Sequence, residues 1–285
     1  MGKYSIKELE RLSGIKAHTL RIWEKRYNLF EPNRSDTNIR YYSDTDLKKL
    51  LNVTILSNSG TKISKIVSMD DDQLKKAVTE VEDADVIKQK RIDDLIVPML
   101  QFDEETIDSL LENYYNVLGV EGTFTEVLYP FLEKIGILWL TDEVEPAQEH
   151  FMTHIIRQKL SSAIDALPAN TASKEKVILF LPEGEYHELG LLFFAYLYKK
   201  RGVRVFYFGQ SAPISQIIEA SKVIKPSWVM TYTVVRPKGG IQKLIDQLGE
   251  CVSDENYFLV NRFQQEIDLK YPPNVRQIKS YSEVI

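Results

Sequence analysis

The sequence predicts three successive parts: a small helix-turn-helix head, a bundle of four helices, and an α/β domain built on a parallel sheet. Three observations predict this. Up to Asn170 the apolar residues recur with the 3.6-residue period of helices; beyond it they form short β-forming runs that alternate with helices. Charge is divided unevenly: residues 1–69 carry 13 Lys and Arg against 7 Asp and Glu, a balance of +6, whereas the other 216 residues carry 23 against 34, a balance of −11. The chain has 285 residues, 44% of them hydrophobic and 27% charged, too long for one small module and too apolar for wholesale disorder. A basic head on an acidic body implies that the head alone meets a polyanion.

In the head, Ser5 caps a helix carrying Ile6, Leu9 and Leu12, and Gly14 ends it. Ala17 to Tyr27 is a second helix with Leu20 and Trp23 on its buried stripe, closed by Pro32. A polar stretch, Asn33 to Tyr42, follows. Ser43 starts a third helix, with Asp46 as a short acidic form of the capping box. The acidic run Asp70 to Asp72 reads as a linker, which sets the first boundary at residue 73.

Residues 74–170 form the second domain. Helical segments cover Val86 to Leu100, Glu104 to Leu118, Thr123 to Leu140 and Pro146 to Leu167, with Pro98 and Pro130 at ends or kinks. Four helices with short connections imply an antiparallel bundle. Residues 171–285 form the third domain. Its strands are Val177 to Leu181, Val203 to Phe208, Trp228 to Thr233, Tyr257 to Val260 and Val275 to Ile278. Helices Leu189 to Lys200, Ile214 to Ile224, Ile241 to Leu248 and a short one near Gln264 alternate with them. That alternation is the Rossmann-like, doubly wound pattern, in which ligands bind at the carboxyl ends of the strands.

Several function classes lack support. The longest apolar run, Leu189 to Tyr198, is about half of what a membrane-spanning helix needs. The N-terminus has no apolar segment behind a basic start, and the single Cys251 excludes an internal disulfide and a Cys-rich zinc site. The expectation is a cytoplasmic chain with no membrane partner. No phosphate-binding P-loop, G-x-G-x-x-G or G-x-S-x-G is present, so nucleotide hydrolysis, nicotinamide chemistry and serine hydrolysis have no motif. His150 and His154 have the i, i+4 spacing that can bind zinc, but no third ligand is evident nearby.

The second helix and its flanks present Lys16, His18, Thr19, Arg21, Lys25 and Arg26, side chains that pair with phosphates or reach guanine edges. Arg34, Arg40 and Tyr41 extend this footprint as a wing, and the helix N-terminus favours a phosphate. Trp23 and Tyr27 pack beneath. The run TLRIWEKRY from Thr19 to Tyr27, then Pro32-Asn33-Arg34, then Arg40-Tyr41-Tyr42, closely resembles the MerR family of winged-helix regulators over about 70 residues. Asn38 stands where that family often has Gly; Asn tolerates a left-handed turn. The resemblance implies a dimer on a double-stranded DNA operator, acting on RNA polymerase indirectly through the promoter.

After the first strand of the third domain stands EYHELG, Glu185 to Gly190. An imidazole on a strand-to-helix loop is a good transition-metal ligand, a carboxylate on its other nitrogen orients it, and the glycine lets a bulky ligand approach the backbone. The segment resembles the D-x-H-x-x-G motif of cobalamin-binding Rossmann domains. The resemblance implies that His187 is the lower axial ligand of cobalt, in place of the cofactor's own base, with Glu185 as its partner. Upstream, Trp139, nine further residues, then Glu149-His150 resemble the helical cap of CarH-like, light-sensing MerR repressors, where the Trp and Glu contact the adenosyl group of adenosylcobalamin. The cofactor site implied is His187, Glu185, Gly190, Trp139, Glu149, His150, Thr231 and Thr233.

Four positions depart from that pattern. Glu185 replaces Asp. The family's Ser-x-Leu after the third strand maps onto Thr231-Tyr232-Thr233. Its Gly-Gly, which accommodates the nucleotide tail, maps onto Asn261-Arg262. Leu140 replaces a His of the light-responsive members. The implied function is a non-enzymatic transcriptional regulator whose cobalamin-binding body controls oligomerisation, as a dimer or tetramer, and operator binding, with light as a further input. The alternatives are a cofactor-independent regulator on a degenerate cobalamin fold and a corrinoid methyl-carrier component; the basic head disfavours the latter.

Overall fold

A computed structural model describes residues 3–34, 38–81, 83–139, 144–169, 172–253, 255–259, 268–279 and 283. The chain divides into two compact units, Met1–Met152 and Thr153–Ile285.

The first unit begins with α1 (Ile6–Ser13) and α2 (Ala17–Tyr27). Ser5 and Glu8 form a reciprocal capping box on α1, and Gly14 ends it at φ 76°, a left-handed conformation that glycine adopts without penalty. Strands β1 (Asn33–Arg34) and β2 (Arg40–Tyr41) pair antiparallel as a small wing, with Asn33 opposite Tyr41 and Arg34 opposite Arg40. Next come α3 (Asp44–Asn58), capped by Ser43 and Asp46, and α4 (Ile63–Ile66). Leu9, Leu12, Leu20, Leu47, Leu50 and Tyr42 are almost wholly buried and make the core of this region.

Asp70 to Asp72 is not a linker. Asp70 accepts a hydrogen bond from the Gln73 amide and starts α5 (Asp71–Thr79), with Gln73 completing the capping box. An acidic run at a helix N-terminus is favoured by the helix dipole, and this competing reading of the three aspartates is the one realised.

The helical segments that follow are α6 (Ala84–Asp94), α7 (Ile96–Gln101), α8 (Glu104–Gly122), a π-helical stretch Thr123–Leu128, α9 (Tyr129–Trp139) and α10 (Pro146–Asp165). The expected helix from Val86 to Leu100 is broken at Leu95. Pro98 has no N–H for the Asp94 carbonyl, and α6 ends at Asp94. The π-helical stretch lies just before Pro130, which likewise cannot serve the Glu126 carbonyl; widening the turn accommodates that loss. The boundary between the two units falls inside α10.

The second unit contains a five-stranded parallel sheet: β3 (Lys176–Pro182), β4 (Arg204–Ala212), β5 (Trp228–Tyr232), β6 (Glu255–Leu259) and β7 (Val275–Ile278), in the order β4-β3-β5-β6-β7. Helices α11 (Leu189–Lys200), α12 (Ile214–Ile224) and α13 (Ile241–Leu248) connect them. Strand alternation sends Leu179, Met230 and Tyr232 to the face packed by Leu191 and Phe194 of α11. Ile178, Val229 and Phe258 go to the face packed by Ile217 of α12 and Leu244 and Ile245 of α13, where Cys251 is also buried. Each fully buried aromatic or aliphatic side chain here contributes roughly 1.5–3 kcal/mol of transfer free energy. From β3 the chain passes first to β4 on one side and later to β5 on the other. The carboxyl ends of β3 and β5 therefore flank the switch point at which such sheets bind ligands. The short helix expected near Gln264 lies outside the described residues.

Among the described residues no helix is long and apolar enough to cross a membrane, and no group of three His, Cys, Asp or Glu side chains is placed to hold a metal ion.

Candidate functional site

Two surfaces collect the chemistry-bearing residues. On the head, α2 buries Leu20 and Trp23 and exposes His18, Arg21, Lys25 and Arg26 on its other face, as the sequence pattern requires. Thr19 is half-buried, its hydroxyl 3.3 Å from His18 Nε2. Tyr27 is half-buried, and Arg26 stacks over its ring at 5.2 Å. On the wing, the Arg34 guanidinium donates to Asn38 Oδ1 at 2.7 Å, and Asn38 takes the left-handed conformation at φ 64°. Arg21, Ile39 and Arg40 line one shallow groove, so helix and wing form a continuous surface.

Three features of this surface were not read from the sequence. The α2 N-terminus is occupied by an internal anion: Glu10 accepts from the Ala17 amide at 2.9 Å and pairs with Lys16 at 3.1 Å, which holds its carboxyl below the ordinary range. Glu24 accepts from the buried Tyr42 hydroxyl at 2.6 Å and lies 3.7 Å from Arg40, so it fixes the wing against α2. Ile22 is 52% exposed in the middle of the basic face. The first two are carboxylates six and eighteen residues from their partners, separations that no helical spacing flags.

The second surface is the loop between β3 and α11, at the switch point. Glu185 is 1% exposed. Its Oε1 accepts from the amides of Tyr186 and His187 at 2.9 and 3.0 Å and lies 2.6 Å from His187 Nδ1. Its Oε2 accepts from the Thr233 hydroxyl at 3.0 Å and from the amides of Val234 and Val235 at 2.5 and 2.9 Å. Burial alone would push this carboxyl up. The His187 ring and the backbone amides outweigh it and bring it down from 4.5 to about 2. An ionised Glu185 fixes an N–H on His187 Nδ1, so the nitrogen that can meet a metal is Nε2, on a ring that is 56% exposed. The extra methylene of Glu relative to Asp is absorbed by this cradle.

The loop is held from three sides. Ser211 and Gln210, at the irregular end of β4, bond the Glu185 carbonyl, the Gly184 amide and the Tyr186 carbonyl. Arg157 of α10 lies 2.7 Å from Glu188, which also accepts from the Tyr207 hydroxyl. The Tyr232 hydroxyl donates to the His187 carbonyl at 2.5 Å.

The remaining expected residues divide. Thr233 joins the cluster. Thr231 does not: alternation along β5 places it with Val229 on the face of α12 and α13, away from α11, and its hydroxyl is buried there without a hydrogen-bond partner among the described residues. Tyr232 is the β5 residue that faces Gly190, where the expectation had been open space. In the first unit, Trp139 is the last residue of α9, its side chain outside the described structure, and Glu149 and His150 are adjacent on α10 with 3.7 Å between Glu149 Oε2 and His150 Nε2. Leu140, Asn261 and Arg262 lie outside the described residues.

Comparison with known proteins bears on both surfaces. Residues 4–72 match the MerR HTH family regulatory protein model, and residues 91–163 match a B12 binding domain. The HTH-type transcriptional repressor CarH of Myxococcus xanthus is 28% identical over 237 residues, covering 81% of this chain and 79% of that protein. The repressor CarA of the same organism is 29% identical over 252 residues, covering 86% and 82%. The chain is a homologue of these MerR-type repressors. A monomethylamine corrinoid protein of Methanosarcina barkeri shares the fold at a TM-score of 0.51 and 16% identity, over 69% of this chain and 95% of that one.

The residues at the switch point fit the metal-facing half of a corrinoid. They offer an exposed imidazole on an ionised, buried carboxylate, with Tyr186, Val234 and Val235 exposed around the same carboxylate as an apolar rim. They do not offer a slot at Gly190. A Cβ built there would meet the Tyr232 hydroxyl at 3.0 Å.

Proposed function

We propose that this chain is a transcriptional regulator that binds double-stranded DNA through its MerR-type head and holds a cobalamin-type cofactor on His187. Its parts are the winged-helix head, the helical cap that follows it, and the Rossmann-like domain. The observation that carries the cofactor reading is the Glu185–His187 pair, in which a buried carboxylate sets the imidazole tautomer at the point where parallel sheets bind ligands.

When bound, the cofactor would supply a cobalt centre able to exchange a ligand. His187 would hold the metal through Nε2, Glu185 would fix the tautomer and orientation of that ring, and the Arg157–Glu188–Tyr207 network fixes the start of α11. Trp139, Glu149 and His150 would contact the adenosyl group of adenosylcobalamin, as the resemblance to light-sensing repressors implies. Loss of those contacts on illumination would bias assembly between dimer and tetramer, because a ligand shifts an equilibrium only by its differential affinity for the two states. Operator affinity follows assembly, and RNA polymerase is affected through the promoter. The chain acts in the cytoplasm and catalyses no reaction of its own.

Full-length protein mixed with adenosylcobalamin and passed over a desalting column should elute coloured, and His187→Ala should weaken the colour. Colourless elution of the unsubstituted protein with adenosylcobalamin and with cobinamide alike overturns the cofactor reading. A second reading, a regulator indifferent to corrinoids, is favoured by Tyr232 at Gly190. It predicts operator retention unchanged by cobalamin and by light.

A further inference from the structure

We infer that Tyr232 makes this site selective for corrinoids that lack a nucleotide tail. The inference deepens the reading of His187 as a cobalt ligand and rests on it. In cobalamin the lower cobalt position is filled by a benzimidazole carried on a tail from the corrin edge. An imidazole that takes this position displaces the base but does not detach it. The base stays tethered on the ring face that the imidazole approaches, so it must lie down beside the imidazole, against protein.

Beside His187 lie the carboxyl end of β5 and the first turn of α11. Gly190 is the position in that turn without a side chain, and the space over it is taken by Tyr232. The hydroxyl stands 3.0 Å and Cζ 3.4 Å from where a Cβ would be. Tyr232 is 7% exposed, packs in the core with Leu191 and Phe194, and is anchored at its tip by the His187 carbonyl. A base seated here would have to break that hydrogen bond and turn a buried aromatic side chain out of its packing. A corrinoid without the tail makes no such demand. It needs only the exposed imidazole and the rim of Tyr186, Val234 and Val235, which are 61%, 49% and 42% exposed. Specificity here is built by filling the space a competitor requires, which leaves the shared contact untouched.

The test titrates the full-length chain with aquocobinamide and with aquocobalamin, following the corrin absorption. Cobinamide should bind at least about tenfold more tightly, and Tyr232→Ser should shift the ratio toward cobalamin by about tenfold or more. Tyr232→Phe keeps the ring and loses the hydroxyl, so it should retain the preference for cobinamide; it also guards against misfolding of the serine variant. Tighter binding of cobalamin by the unsubstituted chain overturns the inference, as does a ratio that Tyr232→Ser leaves unmoved. If neither corrinoid binds, the reading of His187 falls and takes the inference with it, an outcome distinguished by the absence of any spectral change.

Discussion

Glu185 and Asp93 are both almost wholly buried, 1% and 4% exposed, yet they are displaced in opposite directions. Asp93, on α6 of the helical region, is raised: burial dominates, although Lys134 of α9 lies 2.8 Å away and Gln89 donates at 2.8 Å. Glu185, on the loop of the α/β unit, is lowered to about 2. The difference lies in the donors. Asp93 is served by side chains from two helices. Glu185 also receives four backbone amides, whose positions are set by the turn after β3 and the end of β5. Amides fixed by the fold stabilise a charge without having to be ordered for the purpose, whereas a lysine must give up side-chain freedom. The structural carboxylate ties two helices; the one beside His187 is built to stay ionised.

The largest test of this contrast is Glu185→Gln. It keeps the volume but replaces an acceptor-only group with an amide that cannot accept from all the donors, and it should cost about 3 kcal/mol in thermal or urea unfolding of the α/β unit. Lys134→Met leaves Asp93 buried without its cation and should cost about 2 kcal/mol, with the carboxyl raised further. A calorimetric scan that finds the lysine variant more damaging than the glutamine variant would reverse the ranking.

Acid sharpens the contrast further. A carboxyl whose folded value is depressed gives stability that is fully present above its unfolded value and is lost as pH falls through the folded one. The Glu185 contribution is thus present above 4.5 and disappears toward about 2. Asp93 has the opposite sign: its raised folded value penalises folding at neutral pH, and the penalty is relieved as pH falls. Amide exchange between these pH limits should show protection of β3 and β5 falling with Glu185 present and changing less in the Glu185→Gln variant. The smallest effect is expected on the head. Ile22→Ala should change stability by less than about 0.5 kcal/mol. It should also remove a few-fold preference for thymine over deoxyuridine in a duplex selected by the protein, because, with α2 as the helix that reads base edges in the proposed DNA complex, its exposed aliphatic group would contact the thymine methyl.

Much of the scaffold was legible because its signals are local. Caps and periodicity give Ala17–Tyr27, Leu189–Lys200, Ile214–Ile224 and Ile241–Leu248 with the bounds observed. Asp70 to Asp72 misled because an acidic run is equally a solvated connector and a favoured first helical turn. At the candidate site, Glu185 and His187 are neighbours in sequence, and a two-residue spacing is readable. Tyr232 was not readable as an obstacle. A strand residue that arrives 42 positions after Gly190 owes its orientation to a register that only the folded sheet sets. The same register turns Thr231 to the far side, so matching letters after a strand does not match faces. Glu10 and Glu24 were missed for a related reason, since their partners come from other elements.

The lone thiol of Cys251 is buried at 3% exposure and pushed up to about 12 by that burial, so it is a poor nucleophile near neutrality. A maleimide fluorophore or spin label will therefore pass over the natural protein. A single cysteine introduced at an exposed position such as Val223 can carry a probe without first removing the native sulfhydryl, and distance measurements can report assembly on otherwise unaltered protein.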